Sequence, residues 1–124
     1  MPIETRHKFH NEYIHYYCSG PFELPAMMEV FSDVFRLASE RKLGLILVDG
    51  MEIIGVPPKT MDRFRLGEYA AELCRNYGRP VRIAIAGEEP FVDPERFGET
   101  VARNRGANGK VFTDLEEAKE WLNL

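Results

Sequence analysis

Asp49 and Thr60 are the residues of this chain whose types and spacing first invite chemistry. They stand in LILVDGMEIIGVPPKTMDRF, Leu45 to Phe64. Four apolar residues run into an acid, a turn signal follows at Asp49-Gly50, and a hydroxyl at Thr60 precedes a new helical pattern. In open α/β sheets, ligands gather where strands end and helices begin. One reading is an acid beside an anion-receptive helix N-terminus. The other is a strand-end acid starting a turn and a threonine capping a helix. A hydroxyl nucleophile needs an activating base in reach, and no histidine lies in this half of the chain. Scaffold is therefore the expectation for both residues.

Other constellations carry the same two readings. His7, His10 and His15 cluster in one hairpin pattern. Two imidazoles without a third ligand make a weak metal site, so surface histidines are expected and no metal is assigned. Glu88, Glu89, Asp93 and Glu95 crowd a proline-containing connection. Paired carboxylates do acid–base work when one is buried, whereas a polar connection points to a solvated turn and helix start. Arg103 and Arg105 fall at a helix C-terminus, where cations complement the dipole; they are weak candidates for binding an anion. Met27, Met28, Phe31 and Phe35 make the first helix's apolar face wider than one core stripe needs. Met28 and Phe35 are weak candidates for a partly exposed contact patch, against the favoured reading of a broad stripe packed in the core.

The elements that must position these residues follow from composition and period. The chain has 124 residues, enough for one domain with a real core. Hydrophobic content is 44% and charged content 29%, ordinary for a globular protein. A net charge of −4 argues against a phosphate-backbone partner, so no nucleic acid is expected. No apolar run reaches the roughly 18 residues of a membrane span. Cys18 and Cys74 form no CxxC or Cys/His ligand spacing, and both are expected free and reduced in a cytoplasmic setting.

Thr5–His10 and Tyr13–Cys18 read as an antiparallel strand pair around Asn11. Pro25 suits a helix first turn, and Met27, Val30, Phe31, Val34, Leu37 and Ala38 recur at helical spacing. Leu45–Val48 is an apolar run, as in a strand covered on both faces. Phe64, Gly67, Ala70, Ala71 and Cys74 line a second helix that starts at Thr60. VRIAIA is a further strand. Asp93-Pro94 opens a third helix closed by Gly106. KVF is a last strand, and TDLE, Thr113 to Glu116, has the form of a capping box before a fourth helix. The order is β-β-α-β-α-β-α-β-α, an α/β fold, mostly parallel with right-handed crossovers.

The motifs LILVDG, DRFRLGEYAAEL, FGETVARNRG and VFTDLEEAKEWL, in that order, resemble the STAS family, the sulphate-transporter and anti-sigma-factor-antagonist type. The likeness is to its stand-alone bacterial SpoIIAA-like members without an assigned reaction, and covers about Thr5 to Leu122. It implies a single STAS-like domain with an antiparallel first strand pair. Regulatory STAS proteins carry a phosphorylatable serine after the third strand, where the next helix begins. The matching segment here, DGMEIIGVPPKTMD, contains no serine, and Thr60 is its sole hydroxyl.

The expected function is that of a non-enzymatic interaction or regulatory module acting on an unidentified protein partner, as a homodimer. No cofactor is assigned. The alternative is a carrier of a small apolar ligand, lipid or metabolite, in a pocket lined by Met51, Ile53, Ile54 and the aromatics of the first helix.

Overall fold

The computed structural model describes residues 3–124. Strands β1 (Glu4–Phe9) and β2 (Tyr13–Pro21) pair antiparallel, with Phe9 opposite Ile14. Helix α1 (Leu24–Glu40) returns the chain so that β3 (Leu45–Ile54) lies parallel to β2. Helix α2 (Thr60–Asn76) leads to β4 (Arg82–Ala86), α3 (Phe97–Asn104) to β5 (Gly109–Phe112), and α4 (Leu115–Trp121) closes the chain. The sheet order is β1-β2-β3-β4-β5, so strands lie side by side in the order they are made. The expected α/β order is the order observed.

Two apolar layers flank the sheet. The larger lies under α1 and α2 and includes Ile14, Tyr16, Cys18, Val34, Ile46, Val48 and Ile83, all nearly inaccessible. The smaller joins Leu47, Ala84, Ala86 and Phe112 to Ala118 and Leu122 at α4. The strand pleat sends alternate residues to the two layers. Hence Leu45, Leu47 and Met51 pack in the smaller layer, while Ile46 and Val48 pack in the larger. Packing of α2 on α3 depends on Gly67, where a Cβ would collide with the Gly98 carbonyl oxygen. That requirement explains a glycine in the middle of a helix, which otherwise costs about 1 kcal/mol relative to alanine.

Several sequence expectations change here. Strand β3 does not end at Asp49 but continues to Ile54. Gly50 is a strand residue placed where a Cβ would press on the Ala86 carbonyl oxygen at 3.2 Å; close approach, not a turn, accounts for it. Phe35 is not part of an exposed patch: it is 4% accessible and meets Tyr77 edge-on, centroids 5.6 Å apart. The wide apolar stripe of α1 is used up because both the sheet and α2 pack on it. Thr60 makes no side-chain cap; Asp62 instead accepts the Lys59 main-chain N–H at 2.9 Å. Likewise Asp114, not Thr113, caps α4, accepting the N–H groups of Glu116 and Glu117. The third helix begins at Phe97, later than Asp93-Pro94 implied, although the Asp93 carboxylate does accept the Glu95 and Phe97 N–H groups.

The two sheet edges differ. On β5, Glu99 accepts the Val111 N–H at 2.8 Å, while Arg96 and Arg103 donate to the carbonyls of Val111 and Gly109. Side chains of α3 and of Arg96, the residue before it, thus occupy the outer groups of the last strand. The other edge, β1, is exposed along almost its full length. Its sequence ETRHKF alternates charge, a composition that discourages strand addition.

Candidate functional site

The buried polar residues of the described chain are His15 and Asp49, 4% and 9% accessible. They meet: His15 Nε2 lies 2.9 Å from Asp49 Oδ2. The sheet register explains the contact. Tyr17 is opposite Asp49 and His15 is opposite Leu47, so the two side chains are diagonal neighbours on one face of adjacent parallel strands. A carboxylate can only accept, so Nε2 carries the proton. The other carboxylate oxygen accepts the Met51 N–H at 3.2 Å. Burial opposes the charge on Asp49, but the bonds from His15 and Met51 outweigh it and hold its pKa below the ordinary carboxylate value. Tyr17 stacks on the His15 ring at 3.9 Å, and the Arg6 guanidinium lies over that tyrosine ring at 4.1 Å.

Sequence reasoning missed this pair. His15 is not a surface hairpin histidine, and Asp49 does have an imidazole beside it. One signal was available: a polar residue at an interior position of a strand paired on both sides must find a partner when buried. The arrangement links two adjacent strands through one buried hydrogen bond. Cys18 sits on the opposite side of the pleat, donates to the Asp49 main-chain oxygen at 3.6 Å, and is pushed up to about 12 by burial and by the nearby Asp49 charge. It remains a thiol.

The other candidates are not gathered at this pair. Five strand residues separate Asp49 from the end of β3, ~16 Å of extended chain, and Thr60 lies beyond them, exposed at the first turn of α2. Met51 is half-buried and packs against the smaller apolar layer. Met28 is half-buried on α1. Arg105 donates to the Val101 carbonyl and lies over the Phe64 ring, and Arg103 holds the Gly109 carbonyl. Both are satisfied within the fold. Among the described residues no group of three His, Cys, Asp or Glu could hold a metal ion, and no helix is long and apolar enough to cross a membrane.

What the surface does offer lies elsewhere. Ile54, Val56 and Met61 are 60%, 72% and 59% accessible. They are three of the five large apolar side chains left exposed among the described residues, and they follow one another across the β3–α2 connection.

No family model and no curated protein matches the chain. Solved structures do. An anti-sigma factor antagonist from Mycobacterium paratuberculosis matches with a TM-score of 0.63 at 12% identity, over 98% of this chain and 95% of that one. An uncharacterised DUF3478-family protein with a SpoIIAA-like fold from Shewanella loihica matches with a TM-score of 0.53 at 18% identity, over 98% and 94%. Five strands in chain order, an antiparallel first pair and four helices give this protein the SpoIIAA-like, or STAS, fold.

Proposed function

We propose that this protein is a STAS-type regulatory or interaction module that works by protein contact and not by catalysis. The observation that carries the proposal is the exposed apolar run Ile54–Val56–Met61. Exposed patches of this kind mark contact surfaces. It occupies the connection between the third strand and the second helix, the region that the resemblance marks as the regulatory switch. The fold neighbour described as an anti-sigma factor antagonist supports the class of function. In this reading the switch serine is absent and recognition rests on shape and apolar contact. The same patch joins two copies as a homodimer when the partner is not bound.

A photoreactive residue placed at position 56 in the native cell tests the partner. The expected result is one recurrent cross-linked protein that, once purified, binds wild type and not Val56→Asp. Absence of any cross-linked protein, or equal binding by Val56→Asp, would defeat the proposal. Sedimentation at tens of micromolar tests the dimer: wild type should run at twice the chain mass and Val56→Asp at one. A wild-type monomer would remove the dimer while leaving the partner test in force.

A further inference from the structure

A cavity of about 150 Å³ lies between the sheet and helices α1, α2 and α3. Its apolar walls include Phe22, Phe31, Ile53, Leu66, Ile85 and Phe91. Ile53 and Gly87 bring the ends of β3 and β4 to it, which places it at the carboxyl ends of parallel strands, where open α/β sheets bind ligands. A space of this volume is enough to admit a molecule the size of benzene.

Charged residues also line this space, and all but Lys110 are hydrogen-bonded within the protein itself. Arg63 donates to the carbonyls of Pro90 and Phe91, at 2.7 and 3.1 Å. Asp93 accepts the N–H groups of Glu95 and Phe97. Arg96 is bound to the Val111 carbonyl and 3.6 Å from Glu99, which takes the Val111 N–H. Lys110 sits 5.6 Å from the Phe112 ring centre. These groups leave the walls apolar and offer no charge already aimed at an anion.

From this we infer that the cavity is a binding site for a neutral apolar molecule of one ring or a short branched chain. The Arg63 clamp on Pro90 and Phe91 closes it on one side, because Phe91 is both a wall residue and the residue clamped. Met51 and Ile54 take no part: Met51 packs in the opposite layer and Ile54 is exposed. The site is independent of the contact patch, and the two readings stand or fall separately.

Toluene and benzoate are the probes, since they share a ring and differ in charge. Toluene added to the ¹³C-methyl-labelled protein should shift the signals of Ile53, Leu66 and Ile85, and it should raise the unfolding temperature. Benzoate at neutral pH should do neither. Ala70→Leu, which adds volume at a wall position, should weaken toluene binding about tenfold or more, because the added side chain takes up the space the ligand would fill. Leu66→Ala enlarges the same space and keeps the test decisive if Ala70→Leu fails to fold: it should admit naphthalene, which wild type excludes. No toluene shift at these methyls in wild type overturns the inference. So does binding of benzoate as tight as that of toluene, or exclusion of naphthalene by folded Leu66→Ala.

Discussion

His15 and Asp49, 34 residues apart, form one buried contact that fastens β2 to β3 on the face away from α1. The Asp49 carboxylate titrates below its ordinary value in the folded protein. Its contribution to stability is therefore complete above the unfolded value of about 4 and is lost as pH falls through the lower folded value. Asp49→Asn should cost about 2 kcal/mol at neutral pH, the usual loss for a buried hydrogen bond to a charged group. The variant should also lose less stability than wild type between pH 5 and pH 2. Urea unfolding across that range checks both; parallel pH curves would remove Asp49 from the account.

Phe35 is a core residue, so its substitutions should act on the fold. Phe35→Ala should destabilise by about 4 kcal/mol, by analogy with other buried aromatic truncations. Phe35→Glu should leave the chain unfolded, because it buries an unpaired charge. Circular dichroism with denaturant melts distinguishes this from a folded monomer, the outcome an exposed Phe35 would have given.

At the start of α2 the work is done by Asp62. Asp62→Ala should cost about 1 kcal/mol, through loss of the bond to the Lys59 N–H and of a first-turn acid. Thr60→Ala should change stability by less than about 0.5 kcal/mol, as surface substitutions do. A larger loss in Thr60→Ala than in Asp62→Ala would reverse the assignment. Intact mass of the protein from its native cells, before and after starvation, should show no phosphate on Thr60.

Both cysteines are free in the structure, Cys18 buried and Cys74 half-buried. Burial raises both thiols above their ordinary value, and a thiolate is what reacts. Under denaturing, non-reducing conditions two thiols should titrate at once. In the native protein Cys74 should react first, and Cys18 only as fast as the chain opens. Immediate native reaction at Cys18 would contradict its place in the core.

Periodicity and punctuation are local, and the features they control were legible: element order, the antiparallel first pair, the helix faces of Val30, Val34 and Ala38. Asp49-Gly50 misled because a glycine needed for close approach to Ala86 has the same letters as a turn. Thr113 misled because a hydroxyl next to an acid offers two caps and Asp114 is the one that serves; Thr60 misled because the helix is capped one residue earlier, at Lys59, with Asp62 taking the Lys59 N–H. The contact of His15 with Asp49 depends on strand register, which no local pattern states. The cavity depends on how three helices settle on the sheet, a matter of volumes rather than of sequence period.

The coincidence of spatial and chain order in the sheet bears on synthesis. A chain leaving the ribosome N-terminus first folds in that direction. Here each new strand finds its neighbour already made, and none must be slotted between two strands that have paired. The stop is also made in advance. Helix α3 is translated before β5, so Glu99, Arg96 and Arg103 are waiting when Val111 and Gly109 arrive. Growth of the sheet at that edge ends with the fifth strand, by a device the nascent chain carries ahead of the strand it seals.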